Sequence, residues 1–464
     1  MRIMTVAIVV GSILLHLAAA AHASSSSPRA IPWKYEGWNS FPSNWFGANP
    51  TGIIPGESNS TLAVMARHQL VGWGWQQGMY DIPCSIATGQ QCAKDAVETL
   101  ANYTKREGIP AIPSFPYRNM NAALLNFEDI NRALNCTVNW TTYPHNYQAC
   151  GLSDPATERL RREWFVHDTQ GRVCGARSGT PALQMTWRKS APGALEYWSS
   201  VVAGWMEANL SPAKAIFLDV VDNGADWENN LNSSQGNCTV GQIDPKQWNE
   251  AMALNEVEAT ITAVRDIAAK LLPLDMAVII NAGARLSHDP AKALMPFDKF
   301  FSHFADIPNI LWCDSFIPST TTMRCDCCGT LIPFMMGVCR YFEAWNSTQD
   351  LSTALFMQKQ AMPKIIHWFG SNDTQLENQM AAFFVAQSAH DYFSMSREWT
   401  DGGWNWHPAY ASTKCGKPMG DAVEKPAGVF SREFESCSVR LDLDCDIASR
   451  DGCGTVKHTA KRVV

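Results

Sequence analysis

Three aspartates close one apolar run, and their placement is the chain's clearest pointer to chemistry. The run is AIFLDVVDNGADW, in which Asp219, Asp222 and Asp226 follow four apolar residues. A further acid, Glu343, sits in the stretch GVCRYFEAW. Two carboxylates facing one cleft can divide labour, one donating a proton while the other acts as nucleophile or base. Each also has a plainer reading. An aspartate after an apolar run is often the N-cap of the next helix, and Glu343 stands close enough to Arg340 for an ion pair. Asp222 suits loop shaping or a hydroxyl contact, and Asp226 suits a loop.

Positioning such acids takes a strand that ends where they begin. Residues 215–218 are too few for a helix and suit a strand covered on both faces, as in a parallel sheet. Before them, LEYWSSVVAGWMEANL places Leu195, Trp198, Val202, Trp205 and Met206 on one helical face. Ser211-Pro212 stops that helix, since proline cannot continue the hydrogen-bond ladder. The same alternation predicts strands over 70–75, 109–115, 182–187, 215–221, 277–283, 337–345, 364–370 and 391–396. Helices fall between them. One follows Asp244-Pro245 as cap and first position and runs through Trp248, Val257, Ile261, Val264, Ile267 and Leu271. Another covers 374–390.

Eight strands alternating with helices favour an α/β fold closed as a (β/α)8 TIM-type barrel. The doubly wound alternative lacks support, because no GxGxxG follows the first strand. In a barrel the C-terminal strand ends form the catalytic face, so Asp219 on the fourth strand and Glu343 on the sixth would share one pit. The expected organisation is a signal peptide over 1–23, an irregular N-terminal segment over 24–66, the barrel over 67–412, and a C-terminal appendage and tail over 413–464. In that tail GVFSREF and SVRLDLD alternate like strands, so the appendage is expected to be β and to hold a further cysteine staple.

The N-terminal apolar stretch with Ala21-His22-Ala23 fits an export signal and is short for a membrane span. Fifteen cysteines then read as disulfides with one left over, Cys84 with Cys92 and Cys136 with Cys150 being near enough to staple loops. The CxCC at Cys325, Cys327 and Cys328 lacks the paired spacing of a zinc site. Nine N-x-Ser/Thr sequons begin at Asn59, Asn102, Asn135, Asn139, Asn209, Asn232, Asn237, Asn346 and Asn372, the fifth weakened by Pro212. Beside a signal they predict a secreted, N-glycosylated product. Thirty-seven Lys and Arg against 44 Asp and Glu leave a net charge of −7 with no basic run before the tail, which argues against nucleic acid. GxSxG and HExxH are both absent, removing support for a serine hydrolase of the α/β type and for a zincin.

The order ALQMTW, then P-x-A-L-E-Y-W, then IFLDVVDN resembles the strand–helix–strand signature of secreted glycoside-hydrolase-like (β/α)8 proteins. Asn281 after the fifth predicted strand, Glu343 where that family's sixth strand carries an acid, and the tail KPMGDA…GVFSREFESCSVRLD extend the likeness over about residues 180–445. Residues before 150 and the CDCC insert depart from it. The resemblance implies a retaining or inverting glycosidase with Asp219 as nucleophile or base and Glu343 as general acid/base. A carboxylate separation of about 5–5.5 Å would give retention and about 6.5–9.5 Å inversion. Candidate sugar contacts are Asp222, Trp187, Arg188, Asn281, His367, Arg397 and Trp404, although Trp187 reads equally as core and His367 as a structural residue. Eighteen tryptophans are compatible with stacking on sugar rings. No metal or organic cofactor is required, and no membrane partner is expected once the signal is removed. A catalytically inactive barrel that binds carbohydrate, or serves as a structural surface glycoprotein, is the rival reading.

Overall fold

Apolar runs covered on both faces become parallel strands, and the computed structural model of the chain is organised around them. It describes residues 31–35, 37–38, 40–47, 59–74, 89–120, 122–124, 127, 137–139, 146–149, 163–166, 175–176, 184–186, 188–210, 212–221, 223–224, 249–281, 293–314, 354–355, 358–359, 362–369, 373–396, 406–426, 429–442 and 454–458. In chain order the first elements are β1 (Asn44–Gly47), α1 (Asn59–Met65), β2 (Leu70–Trp73), α2 (Gly89–Arg106), β3 (Ser114–Phe115) and β4 (Tyr117–Asn119). Short strands follow: β5 (Ala122–Leu124), β6 (Thr137–Asn139), β7 (Asn146–Ala149), β8 (Gly175–Ala176) and β9 (Gln184–Thr186). Then come α3 (Ala194–Asn209), β10 (Ala215–Asp219), α4 (Glu250–Leu271), β11 (Ala277–Asn281), α5 (Phe297–Ser302) and β12 (Asn309–Asp314). The chain continues with β13 (Lys364–Phe369), α6 (Asp373–Ala386), β14 (Tyr392–Ser396) and α7 (Pro408–Ser412). It ends with β15 (Val423–Glu424), β16 (Val429–Glu433), β17 (Cys437–Asp442) and β18 (Gly454–His458).

Six strands pair in parallel in the order β14-β13-β12-β11-β10-β4, and three more in the order β1-β2-β3. The two sheets meet at both edges. β3 and β4 are one extended segment interrupted at Pro116, whose carbonyl accepts from Phe217 N at 2.8 Å while Ser114 O accepts from Lys214 N at 2.8 Å. At the other edge Ser43 and Phe393 form a parallel bridge, with Phe393 N donating to Pro42 O at 2.8 Å.

The predicted strands over 215–221, 277–283, 364–370 and 391–396 match β10, β11, β13 and β14 to within two residues. Two other expectations are corrected. The segment 24–66, expected to be irregular, contributes β1 and α1. The 182–187 stretch is not a strand of the parallel sheet, because β9 pairs antiparallel with β5 and β8. The strand between β11 and β13 is β12, which pairs directly with both; the predicted strand over 337–345 lies outside the described residues. The predicted signal peptide also lies outside them.

Beneath the end of β10 the strands contribute stacked rings. Phe46 lies 5.1 Å from Phe217, Phe115 stacks on both, and Tyr117 stacks on Phe217 at 5.6 Å. Gly72 makes room for this column, since a Cβ there would sit 2.1 Å from the Phe115 ring. Outside it, α3 buries Trp198, Val202, Trp205 and Met206, the stripe its sequence predicts. Helix α4 buries Val257, Ile261, Val264, Ile267 and Leu271 and is capped by Asn249, whose side chain accepts from Met252 N at 3.1 Å. The predicted Asp244-Pro245 cap lies outside the described residues.

The N-terminal ends of β13 and β14 are locked by a fully buried ion pair, Lys364 with Asp391. Asp391 also accepts from Lys364 N at 2.9 Å and from Ser388 N at 2.6 Å. The first described residues fasten on here, with Trp33 Nε1 donating to Tyr392 Oη at 2.8 Å and Tyr35 Oη to Asp391 O at 2.9 Å. As predicted, the tail forms an antiparallel sheet, β15-β16-β17-β18, stapled by the Cys415–Cys437 disulfide. It docks through Arg432, which donates to Phe384 O at 3.0 Å, Val385 O at 3.2 Å and Gln387 O at 2.6 Å, around the C-terminus of α6. A cation at that place satisfies orphan helix carbonyls and complements the helix dipole.

His68, between α1 and β2, is 5% exposed, and neither ring nitrogen has a hydrogen-bond partner. Trp406 meets it edge-on at 5.3 Å and Tyr410 at 6.4 Å. Burial, with the nearby Arg67 charge adding to it, pushes its pKa down to about 3. The unfolded chain therefore takes up a proton near pH 6.5 that the fold refuses. Stability is intact above that pH and falls by about 1.4 kcal/mol per unit below it, down to about pH 3. Between pH 7 and pH 5 the unfolding free energy from urea titrations should fall by about 2 kcal/mol more for wild type than for His68→Phe. Equal losses in the two proteins would clear His68 of that role.

Candidate active site

Asp219 ends β10 half-buried, and among the described residues four donors hold its two oxygens. The Tyr117 hydroxyl donates to Oδ2, and the Asn119 amide reaches the same oxygen at 3.3 Å. Asn281 Nδ2 donates to Oδ1 at 2.7 Å, and the Val220 backbone N–H donates to it at 2.9 Å. All four donors are neutral and all present protons. Hydrogen bonds to the charged form of a carboxylate favour that form, so the setting suits an ionised Asp219.

Register and pleat explain why these groups converge. β10 lies between β4 and β11, with Asn119 paired to Asp219 and Asn281 one step beyond the Leu218↔Ile280 pair. Residues two apart on a strand share a face, so Tyr117 and Asn119 both reach Asp219. Arg118, between them, faces the other way, with its guanidinium 4.2 Å from the Phe127 ring and 4.8 Å from the Trp205 ring. Backbone bonds carry the ladder past the carboxylate: Met120 N to Asp219 O and Val221 N to Asn281 O, each 2.9 Å.

Val220 has φ +61°. For a β-branched residue this left-handed conformation costs on the order of 1–3 kcal/mol. It lies directly after Asp219, whose carboxylate accepts from the Val220 N–H, and local strain of this kind clusters at functional sites.

Of the residues singled out in the sequence, the fold brings Asp219 and Asn281 together, but Asn281 serves Asp219 rather than presenting a free amide. Arg188 does not end a strand of the parallel sheet. It follows β9, with its N–H on Trp164 O at 2.6 Å. The next residue, Lys189, ties this segment to the end of β4 through Met120 O at 3.2 Å. Glu256 of α4 holds the same segment, accepting from Lys189 N at 2.8 Å and Ser190 N at 3.2 Å. His367 is buried within β13, in register with Ser394 on one side and Asp314 on the other. Glu343, Asp222, Trp187, Arg397 and Trp404 lie outside the described residues.

No protein-family model matches the sequence, and no curated protein does. Among solved structures the chain is similar to a GH31 family sulfoquinovosidase from E. rectale, at TM-score 0.42 and 10% identity, over 80% of this chain and 44% of that one. It is similar to the alpha-N-acetylgalactosaminidase NagBb from Bifidobacterium bifidum at TM-score 0.38 and 11% identity, over 91% of this chain and 58% of that one. A third likeness is to a maltogenic alpha-amylase from Thermotoga neapolitana, at TM-score 0.40 and 11% identity, over 86% and 84%. The chain spans about half the length of the first two. TM-scores below 0.5 establish neither a shared family nor a shared activity.

Three residues escaped the sequence reading. Tyr117 and Asn119 follow Pro116 as polar residues two apart, a spacing that would have paired them on one face. Asp314 ends β12 as Asp219 ends β10, each closing an apolar run: NILWCD beside AIFLD. Trp312 is in register with Asn281, and Asp314 stands two positions further along. Neighbouring strands run about 4.8 Å apart, so two strand ends with one strand between them are about 10 Å apart at the backbone.

Proposed function

We propose that the chain is a glycoside hydrolase of the (β/α)8 type that cleaves an extracellular or cell-wall carbohydrate. The joining of the two parallel sheets at both edges supports a closed ring of eight strands, in which Ser114–Asn119 counts as one. The observation that carries the reading is Asp219, held by four neutral donors at the C-terminal end of a parallel strand. Asp219 is the nucleophile or base. Asp314, ending the next strand but one, is the proton donor in this reading, with Glu343 as the rival for that role. Export with N-linked glycans belongs to the same proposal, supported by Asn102, which heads a sequon and is exposed on α2.

One feature also favours a barrel that binds carbohydrate without cleaving it. The donors around Asp219 among the described residues are all protein groups, as they would be around a purely structural hub. Product release from a panel of polysaccharides and aryl glycosides separates the two readings, turnover supporting the hydrolase and binding without turnover the rival. On a substrate found in this way, Asp314→Asn is expected to lose about 100-fold or more where the leaving group is an ordinary sugar. It should lose little on a dinitrophenyl glycoside, whose departure needs no proton. The same pattern in Glu343→Gln instead would move the acid to that residue, and full activity in both would end the two-carboxylate mechanism.

A further inference from the structure

We infer that Tyr117 is a positioning residue for Asp219, its hydroxyl proton directed onto the carboxylate so that Asp219 is kept ionised and in one orientation. This rests on the glycosidase reading for its consequence in turnover, but its geometry is independent of that reading. The phenol is 4% exposed and its ring is stacked 5.6 Å from Phe217 at 22°, so the hydroxyl has little freedom to swing away. A phenol has one proton to give and lone pairs to accept with. Asn119 Nδ2 donates into the Tyr117 oxygen at 2.8 Å, and Asp219 Oδ2, which when ionised offers only lone pairs, stands on the other side. The phenol proton is therefore committed to Asp219.

The resulting chain, Asn119 amide to Tyr117 hydroxyl to Asp219 carboxylate, runs in one direction. Each bond polarises the next. Asn281 and Val220 N–H hold the other oxygen, leaving Oδ2 as the side on which Tyr117 tunes the charge.

Tyr117→Phe deletes the donor and leaves the stack in place. Carbon-13 NMR of the Asp219 carboxyl, assigned by its loss in Asp219→Asn, should show titration at higher pH in Tyr117→Phe than in wild type. Asn119→Ala should move it in the same direction by less, and this second variant carries the test should Tyr117→Phe fail to fold. On a cleaved substrate, kcat/KM of Tyr117→Phe should fall about 10- to 100-fold, with the acidic limb of its pH profile displaced upward. An Asp219 titration unchanged in both folded variants would overturn the assignment. A shifted titration in a protein that cleaves no glycan would leave Tyr117 as the positioning residue and remove the glycosidase reading instead.

Discussion

Asp219→Asn should abolish turnover of whichever glycan the wild type cleaves, by about 10³-fold or more, while the protein still folds. The substitution keeps shape and volume but removes the negative charge that a nucleophile or base must have. Its amide must also place an NH2 group among donors. On the Oδ1 side Asn281 and the Val220 N–H both present protons, so the amide oxygen should stay there and the nitrogen should turn to Tyr117. The Tyr117 hydroxyl can rotate its proton away and accept. The expected stability loss is therefore modest, about 1–3 kcal/mol. Reducing-sugar release read alongside urea unfolding separates the two effects. Undiminished release would remove Asp219 from the chemistry, whatever the cost in stability.

The largest stability effect is expected at the opposite ends of the strands. Lys364→Met should destabilise the protein by about 3–5 kcal/mol, because it strands Asp391 as a buried charge without its cation. Both side chains of this pair are 0% exposed, so water cannot take the place of the ammonium. Asp391 would keep the Ser388 and Lys364 backbone donors, which offset part of the loss but supply no net charge. Replacing the pair together, as Lys364→Met with Asp391→Leu, should cost much less than the sum of the single changes, since breaking a buried pair is worse than removing it. Urea midpoints of the two single variants and the double variant measure the coupling. A coupling near zero would show that the two residues act separately. The pair lies at the N-terminal strand ends, away from Asp219, so kcat/KM of the folded fraction should not change.

Much of this architecture is readable from the sequence, and the misses have physical causes. β10, β11, β13 and β14 are five or six residues long and built on short apolar stretches, and β10 and β11 are buried along their apolar residues on both faces. β1 is four residues, NWFG, amid tryptophan, proline and glycine. Its strand character comes from pairing with β2 rather than from its own composition. β9 alternates as a strand should, yet alternation does not say which sheet receives it. β12 carries as clear an acidic end as β10, whereas the resemblance implies Glu343 as the acid of the sixth strand. At the site, Asp219 was legible as an acid closing a buried run. Its donors Tyr117 and Asn119 were not, because they come from a strand a hundred residues earlier in the chain that is broken by a proline. Register, which sequence alone does not provide, brings them together.

The seam between Ser43 and Phe393 bears on how the molecule is made. The Trp33–Tyr392 bond beside it spans 359 positions. At ribosomal rates of about 5–20 residues per second, the first strand leaves the tunnel about 20–70 s before its neighbour exists. Throughout that interval one edge of β1 has nothing to pair with, and Phe41 and Phe46, buried in the finished fold, have no completed core to enter. Newly made chains are therefore most exposed to wrong partners before the last strand arrives, and a chain truncated before residue 392 should remain in that state permanently.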